Sequence, residues 1–151
     1  MIFKQVETLS VPDSLLLEAD PDIQSINTYR AESLSFVAVD NDTMIGVVVA
    51  KPNADHLVEI LNVSVLPNFQ KQGIGTKLLR FALQSLSEHG FTRVELGTGS
   101  FGYQLTYYQR LGFRIDTIVK DYFTDNYPEP IHEHGIQHRD MLRLYLDLTK
   151  K

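Results

Sequence analysis

The stretch Asn62-Val63-Ser64-Val65-Leu66-Pro67-Asn68-Phe69-Gln70-Lys71-Gln72-Gly73-Ile74-Gly75-Thr76-Lys77-Leu78-Leu79 constrains the fold more than any other part of the chain. It reads as an apolar strand, a polar turn with one lysine and two glycines, and the start of an amphipathic helix. The first amides of a helix have no intrahelical acceptor, and the helix dipole places partial positive charge there. Such a terminus is suited to a phosphate. Gly73 and Gly75 lack a Cβ, so a ligand can approach their backbone closely and a positive φ is tolerated. Lys71 adds a formal charge beside them. For the glycines alone, an ordinary strand-to-helix turn is the competing reading. The strand, Pro67, the Phe69-Gln70 pair and the long helix favour an anion site.

The rest of the chain organises around this unit. Met1 to Val6 reads as an edge strand, and Pro12 to Tyr29 as one or two short helices carrying Leu15, Leu16, Leu17, Ile23 and Ile26. Ser33 to Asp40 and Thr43 to Ala50 form a hairpin about the Asp40-Asn41-Asp42 turn. Pro52-Asn53-Ala54-Asp55 reads as a second turn before a central strand, His56 to Leu66. The helix from Gly73 to His89 places Ile74, Leu78, Leu79, Ala82, Leu83 and Leu86 on one broad face, and Gly90 stops it. Then come a strand (Phe91 to Leu96), a loop (Gly97-Thr98-Gly99-Ser100), a short helix (Tyr103 to Leu111) and two strands (Phe113 to Tyr122 and Met141 to Leu148). Asp121 to Asp140 interleaves acids, prolines and histidines with Tyr122, Phe123, Tyr127 and Ile131, which predicts an ordered, packed loop with a functional role. The order predicts a single α/β (α+β) domain over residues 1–151 with a mixed sheet.

Composition narrows the function. The 151 residues carry a net charge of −5, against a general nucleic-acid binder. The chain has no cysteine, hence no disulfide framework and no thiolate nucleophile. Residues 1–10 lack a signal-peptide pattern, and Ile45 to Ala50, the longest apolar run, is too short to span a bilayer. A cytoplasmic protein without membrane or nucleic-acid partners is the expectation, as monomer or homodimer.

The Asn62–Leu83 segment resembles the acyl-CoA pyrophosphate loop of the GNAT superfamily of N-acetyltransferases, Gln/Arg-x-x-Gly-x-Gly/Ala. A second segment, Leu105-Thr106-Tyr107-Tyr108-Gln109-Arg110-Leu111-Gly112-Phe113, resembles the family's apolar-Tyr-x-x-x-Gly-Phe stretch. The resemblance spans roughly residues 33 to 148. It implies a mostly antiparallel sheet of six to seven strands, flanked by about four helices, with two parallel central strands that splay apart. It also implies a β-bulge on the first of these. Acetyl-CoA is the implied cosubstrate, with Val63 and Val65 pairing with its pantetheine arm. Gln70, Lys71, Gln72, Gly73, Ile74, Gly75 and Thr76 would take the pyrophosphate, and Tyr108 the sulfur. The asparagine often found seven residues before that tyrosine is Phe101 here, next to Ser100.

Glu59 stands where some family members carry a catalytic glutamate. The chemistry calls for a base: an aliphatic amine of pKa ~10.4 is only about one part in several thousand neutral at pH 7. A carboxylate, directly or through water, can accept its proton. The alternatives for Glu59 are a solvated strand acid or a water chain in its place. The implied activity is direct transfer of the acetyl group to a primary amine, on a small molecule or on a peptide or protein. A non-catalytic acyl-CoA sensor could use the same loop. A metal-dependent hydrolase built on His132, Glu133, His134 and His138 is a third reading, set against an expectation of no metal. The acids Glu18, Asp20, Asp22, Asp121, Asp125, Glu129 and Glu133 predict a negatively charged acceptor side that favours a cationic amine.

Overall fold

The computed structural model describes residues 1–148. Its centre is a seven-stranded sheet in the spatial order β1 (Ile2–Glu7), β2 (Leu34–Asp40), β3 (Thr43–Ala54), β4 (Leu57–Val65), β5 (Arg93–Gly99), β9 (Met141–Asp147) and β6 (Arg114–Val119), so the last strand lies between β5 and β6. Only β4 and β5 pair in parallel; every other pair in the sheet is antiparallel. A two-residue hairpin, β7 (His132–Glu133) and β8 (Ile136–Gln137), lies apart from it.

Five α-helices flank the sheet: α1 (Asp13–Leu16), α2 (Ile23–Tyr29), α3 (Ile74–Glu88), α4 (Tyr103–Arg110) and α5 (Tyr122–Asn126). The helix beyond the expected four is α5, a single turn within the Asp121–Asp140 segment. Among the described residues no helix is long and apolar enough to cross a membrane.

The apolar run in β3 is continuous because both faces of that strand are covered. Val48 and Ala50 pack with Leu78, Leu79, Ala82 and Leu86 of α3. Val47 and Val49 pack with Leu15, Leu16, Ile26 and Tyr29 of α1 and α2 on the other face. Gly46 lets α3 come close: a Cβ there would stand 3.2 Å from Leu78 Cδ2.

Three boundaries differ from the sequence reading by three residues or more. β3 continues through Pro52 to Ala54, and the turn moves to Asp55–His56. The ladder slips between Pro52 and Ala54, and such an irregularity accommodates a residue with no N–H to donate. β5 continues through Gly97 and Gly99, which read as loop signals. These glycines make room for neighbours: a Cβ on Gly97 would collide with the Met141 side chain, and one on Gly99 with the His138 ring. β6 stops at Val119 instead of Tyr122, and Asp121 turns the chain at φ +63° while its N–H donates to Asp140 Oδ1 at 2.9 Å.

Candidate active site

β4 and β5 pair only from Leu57–Arg93 to Ile60–Leu96. Beyond that point both strands go on, held from outside by β3 and β9, but no longer bonded to each other. The β3–β4 register slips by one residue at Leu61, between the pairs Ala50–Ile60 and Val49–Asn62. This bulge bends β4 away from β5. The result is a V-shaped opening in the middle of the sheet, with the edge of residues 61–65 free of strand pairing on the β5 side.

One side of the opening is a cleft of about 370 Å³, lined by Val63, Val65, Gln70, Lys71, Gly73, Ile74, Gly75 and Thr76. Gly73 caps α3 at φ +82° without any side-chain cap, and the first helical bond runs from Lys77 N–H to Gly73 C=O. The amides before Lys77 therefore precede the helical ladder and face the turn. Lys71 also holds a left-handed conformation, at φ +62°. Of the residues expected in this loop, Gln72 does not line the cleft and donates instead to Asn68 C=O at 3.2 Å. Gln70 lines it, but its side-chain amide donates to Val65 C=O at 2.8 Å. That bond locks the corner where the strand enters the turn.

Tyr103, Gln104, Tyr107 and Tyr108 of α4 form the facing wall. The Tyr107 hydroxyl is buried without a hydrogen bond of good geometry, close to where a Cβ on Gly75 would stand. Burial pushes its phenol well above the ordinary tyrosine range. Tyr108, 6% exposed, packs edge-on to Phe113, and burial raises its phenol as well. The spacing of 103 and 107 on one helical face was a readable signal for this second wall.

Tyr108 also lines a second cavity of about 410 Å³ on the other side of the opening. Its wall comes from Tyr29 of α2 and from Tyr122, Phe123 and Tyr127 of the Asp121–Asp140 segment. Glu59 lies in it, paired with Arg143 at 2.8 Å and accepting from Asn53 at 3.0 Å. Of the seven acids expected near the acceptor, Asp20 alone lines this cavity; Glu18 lines the first cleft. Asp22 caps α2 through Gln24 N–H. Burial lifts the Tyr29 phenol to about 12, and Tyr127 is raised by burial and by Asp20. Arg143 and Tyr29 carry no motif, and only tertiary structure brings them here.

The histidines do not converge. His138 Nε2–H donates to Glu133 Oε1 at 2.9 Å, its ring stacks on Phe101 at 4.2 Å, and it sits against Gly99. Glu133 in turn accepts from Tyr103 N–H at the start of α4. His134 is exposed, and among the described residues no three His, Asp or Glu side chains are grouped as metal ligands. The pair joins the Asp121–Asp140 segment to α4 and β5.

Comparison with known proteins agrees with this geometry. The acetyltransferase (GNAT) family profile matches residues 4–113. YvbK of Bacillus subtilis (strain 168), described as an uncharacterized N-acetyltransferase, is 41% identical over 135 residues, 89% of this chain and 87% of its own. The structure of an IAA acetyltransferase from Bacillus cereus ATCC 14579 superposes with TM-score 0.91 at 40% identity, covering 97% of this chain and 98% of that one. A GNAT family acetyltransferase from Elizabethkingia anophelis with acetyl-CoA bound gives 0.91 at 36% identity, covering 97% of both. The fold is that of these acyltransferases. The chain belongs to the GNAT family of acetyltransferases.

The raised phenols have a measurable consequence. A fold that favours the protonated phenol holds that stability fully below the unfolded value of ~10 and loses it as pH rises further. Spectroscopic titration is expected to show Tyr29, Tyr107, Tyr108 and Tyr127 ionising late, together with a drop in the denaturation midpoint above pH ~10. Complete tyrosinate formation near ~10 in a folded protein would contradict this burial.

Proposed function

We propose that the protein transfers the acetyl group of acetyl-CoA to a primary amine by direct attack. The observation that carries this reading is that Tyr108 lines both cavities at the point where β4 and β5 part. One cavity suits the cofactor and the other an acceptor, and Ala19, Val63, Gln104 and Tyr108 line both. An acyl-CoA sensor would need the first and not the second. Tyr122, Phe123 and Tyr127 wall the acceptor side, which favours a small molecule over a protein lysine.

The residues present fit the cosubstrate. The amides at the start of α3, with Lys71, would hold the pyrophosphate. The free edge of β4 around Val63 and Val65 would pair with the pantetheine amides as an added strand does. The buried Tyr107 hydroxyl lies along the same cleft.

In the reaction a bond forms between the amine nitrogen and the acetyl carbon, and the carbon–sulfur bond breaks. Glu59 is the proposed acceptor of the amine's proton, directly or through water. Arg143 holds its carboxylate in place from 2.8 Å. Backbone donors near Val65 would polarise the carbonyl, and one such donor is worth ~2.7–4 kcal/mol at the transition state. The Tyr108 hydroxyl stays protonated because it is buried, so it can donate a hydrogen bond to the departing sulfur. Starting from the ammonium form, the nitrogen loses two protons: one is matched by the proton the thiolate gains, and the other leaves through Glu59 to solvent.

Two outcomes test this. A Cβ at Gly73 would meet no protein atom within 4 Å and Gly73 lines the cleft, so the side chain of Gly73→Val competes with a ligand there, although its φ of +82° adds strain. Calorimetry on the folded variant is expected to show CoA affinity reduced about tenfold or more. Unchanged affinity would remove the pyrophosphate from this turn. Tyr108→Phe is expected to lower kcat about 10- to 1,000-fold with little change in CoA affinity. Wild-type turnover, with chemistry rate-limiting, would make Tyr108 a packing residue.

A further inference from the structure

Three charged residues line the acceptor cavity: Asp20, Lys51 and Glu59. Two are already balanced. Lys51 lies 3.6 Å from Glu32, and Glu59 lies 2.8 Å from Arg143, which also reaches Glu95 at 3.5 Å. Asp20 is only 7% exposed, yet among the described residues no side-chain nitrogen of Lys, Arg or His lies within 4.0 Å of it. Its partners are neutral donors, Asp22 N–H at 3.2 Å and the Tyr127 hydroxyl at 3.4 Å. A nearly buried carboxylate without a counter-charge opposes folding unless a cation joins it.

The surroundings of Asp20 specify that cation. Tyr29, Tyr122, Phe123 and Tyr127 line the same cavity. Aromatic faces attract ammonium groups, fully methylated ones included. Burial raises the phenols of Tyr29, Tyr122 and Tyr127, and the charge of Asp20 adds to the rise in each, so its field reaches all three rings.

We propose that Asp20 and these rings hold a cationic group of the acceptor that is distinct from the nitrogen being acetylated. The inference rests on the acetyl-transfer reading above. The attacking nitrogen must shed its proton, whereas the partner of Asp20 must stay charged, so one nitrogen cannot serve both. Position agrees: Tyr108 lines both cavities, and Asp20 lines only the acceptor side. The acceptor class is therefore a small primary amine with a second positive centre, a diamine or an amine bearing a quaternary ammonium.

The test compares thiol release from acetyl-CoA with two primary amines, aminopropyl-trimethylammonium and hexylamine, whose tail is neutral. In the wild-type protein kcat/KM is expected to be about tenfold or more higher for the charged amine. Asp20→Asn is expected to erase the difference through KM, with kcat within about twofold and hexylamine unaffected. Tetramethylammonium, which cannot be acetylated, is expected to bind the CoA-saturated wild-type protein in calorimetry and not the variant.

Equal kcat/KM for the two amines, or no binding of tetramethylammonium, overturns the anchor and leaves acetyl transfer standing. An Asp20→Asn variant that loses kcat equally with both amines also overturns it, placing Asp20 in proton transfer. No thiol release with any amine, with Asp20-dependent tetramethylammonium binding intact, would refute acetyl transfer and keep the anchor. Should Asp20→Asn fail to fold, the wild-type comparisons decide the matter alone.

Discussion

The site exists because a hydrogen-bond ladder stops. β4 and β5 share four residue pairs and then separate, while β3 and β9 keep each strand bonded on its outer side. An unpaired strand edge in the middle of a sheet normally costs free energy, because its N–H and C=O groups have lost their partners. Here the edge opens into the cleft that runs to the N-terminus of α3, so the groups face that cleft rather than a dry core. The bulge at Leu61, the Gln70 bond to Val65 and the capless start of α3 all lie within one stretch of chain. They shape one feature: a strand that ends in a row of donors.

The chemistry depends on what surrounds that edge. Seven tyrosines are present in the chain, and Tyr29, Tyr107, Tyr108, Tyr122 and Tyr127 gather about the two cavities. Burial keeps these phenols protonated, which makes them hydrogen-bond donors and apolar walls rather than bases. Glu59 and Arg143 supply a matched pair of charges on the acceptor side, and Asp20 an unmatched one. Glu133 and His138 tie α4 to the Asp121–Asp140 segment, so the helix that carries Tyr108 and the wall carrying Tyr122 and Tyr127 are joined through side chains.

Much of this was legible in the sequence because it is local. The strand, turn and helix from Asn62 to Leu83 are set by residues next to one another, as are the helix that bears Tyr108 and its stop at Gly112. The ends of β3 and β5 were not, because Pro52, Gly97 and Gly99 usually break a strand. Each is tolerated here for a tertiary reason: a slip in the ladder at Pro52, and close contact with Met141 and His138 at the glycines. The same limit applies to the site. Glu59 was visible by its spacing from the loop, but its partner Arg143 is 84 residues away in the chain and follows no motif. Asp20 was visible only as one acid among many, and burial sets it apart.

The central claim is that the free edge of β4 is a binding surface for the cofactor's pantetheine arm. Amide hydrogen exchange of residues 61–65, read by NMR with and without saturating CoA, tests it most directly. The amides that point away from β3 are expected to exchange readily in the free protein and to gain protection of about tenfold or more when CoA is bound. Exchange rates unchanged across residues 61–65 in the CoA-saturated protein would contradict the account.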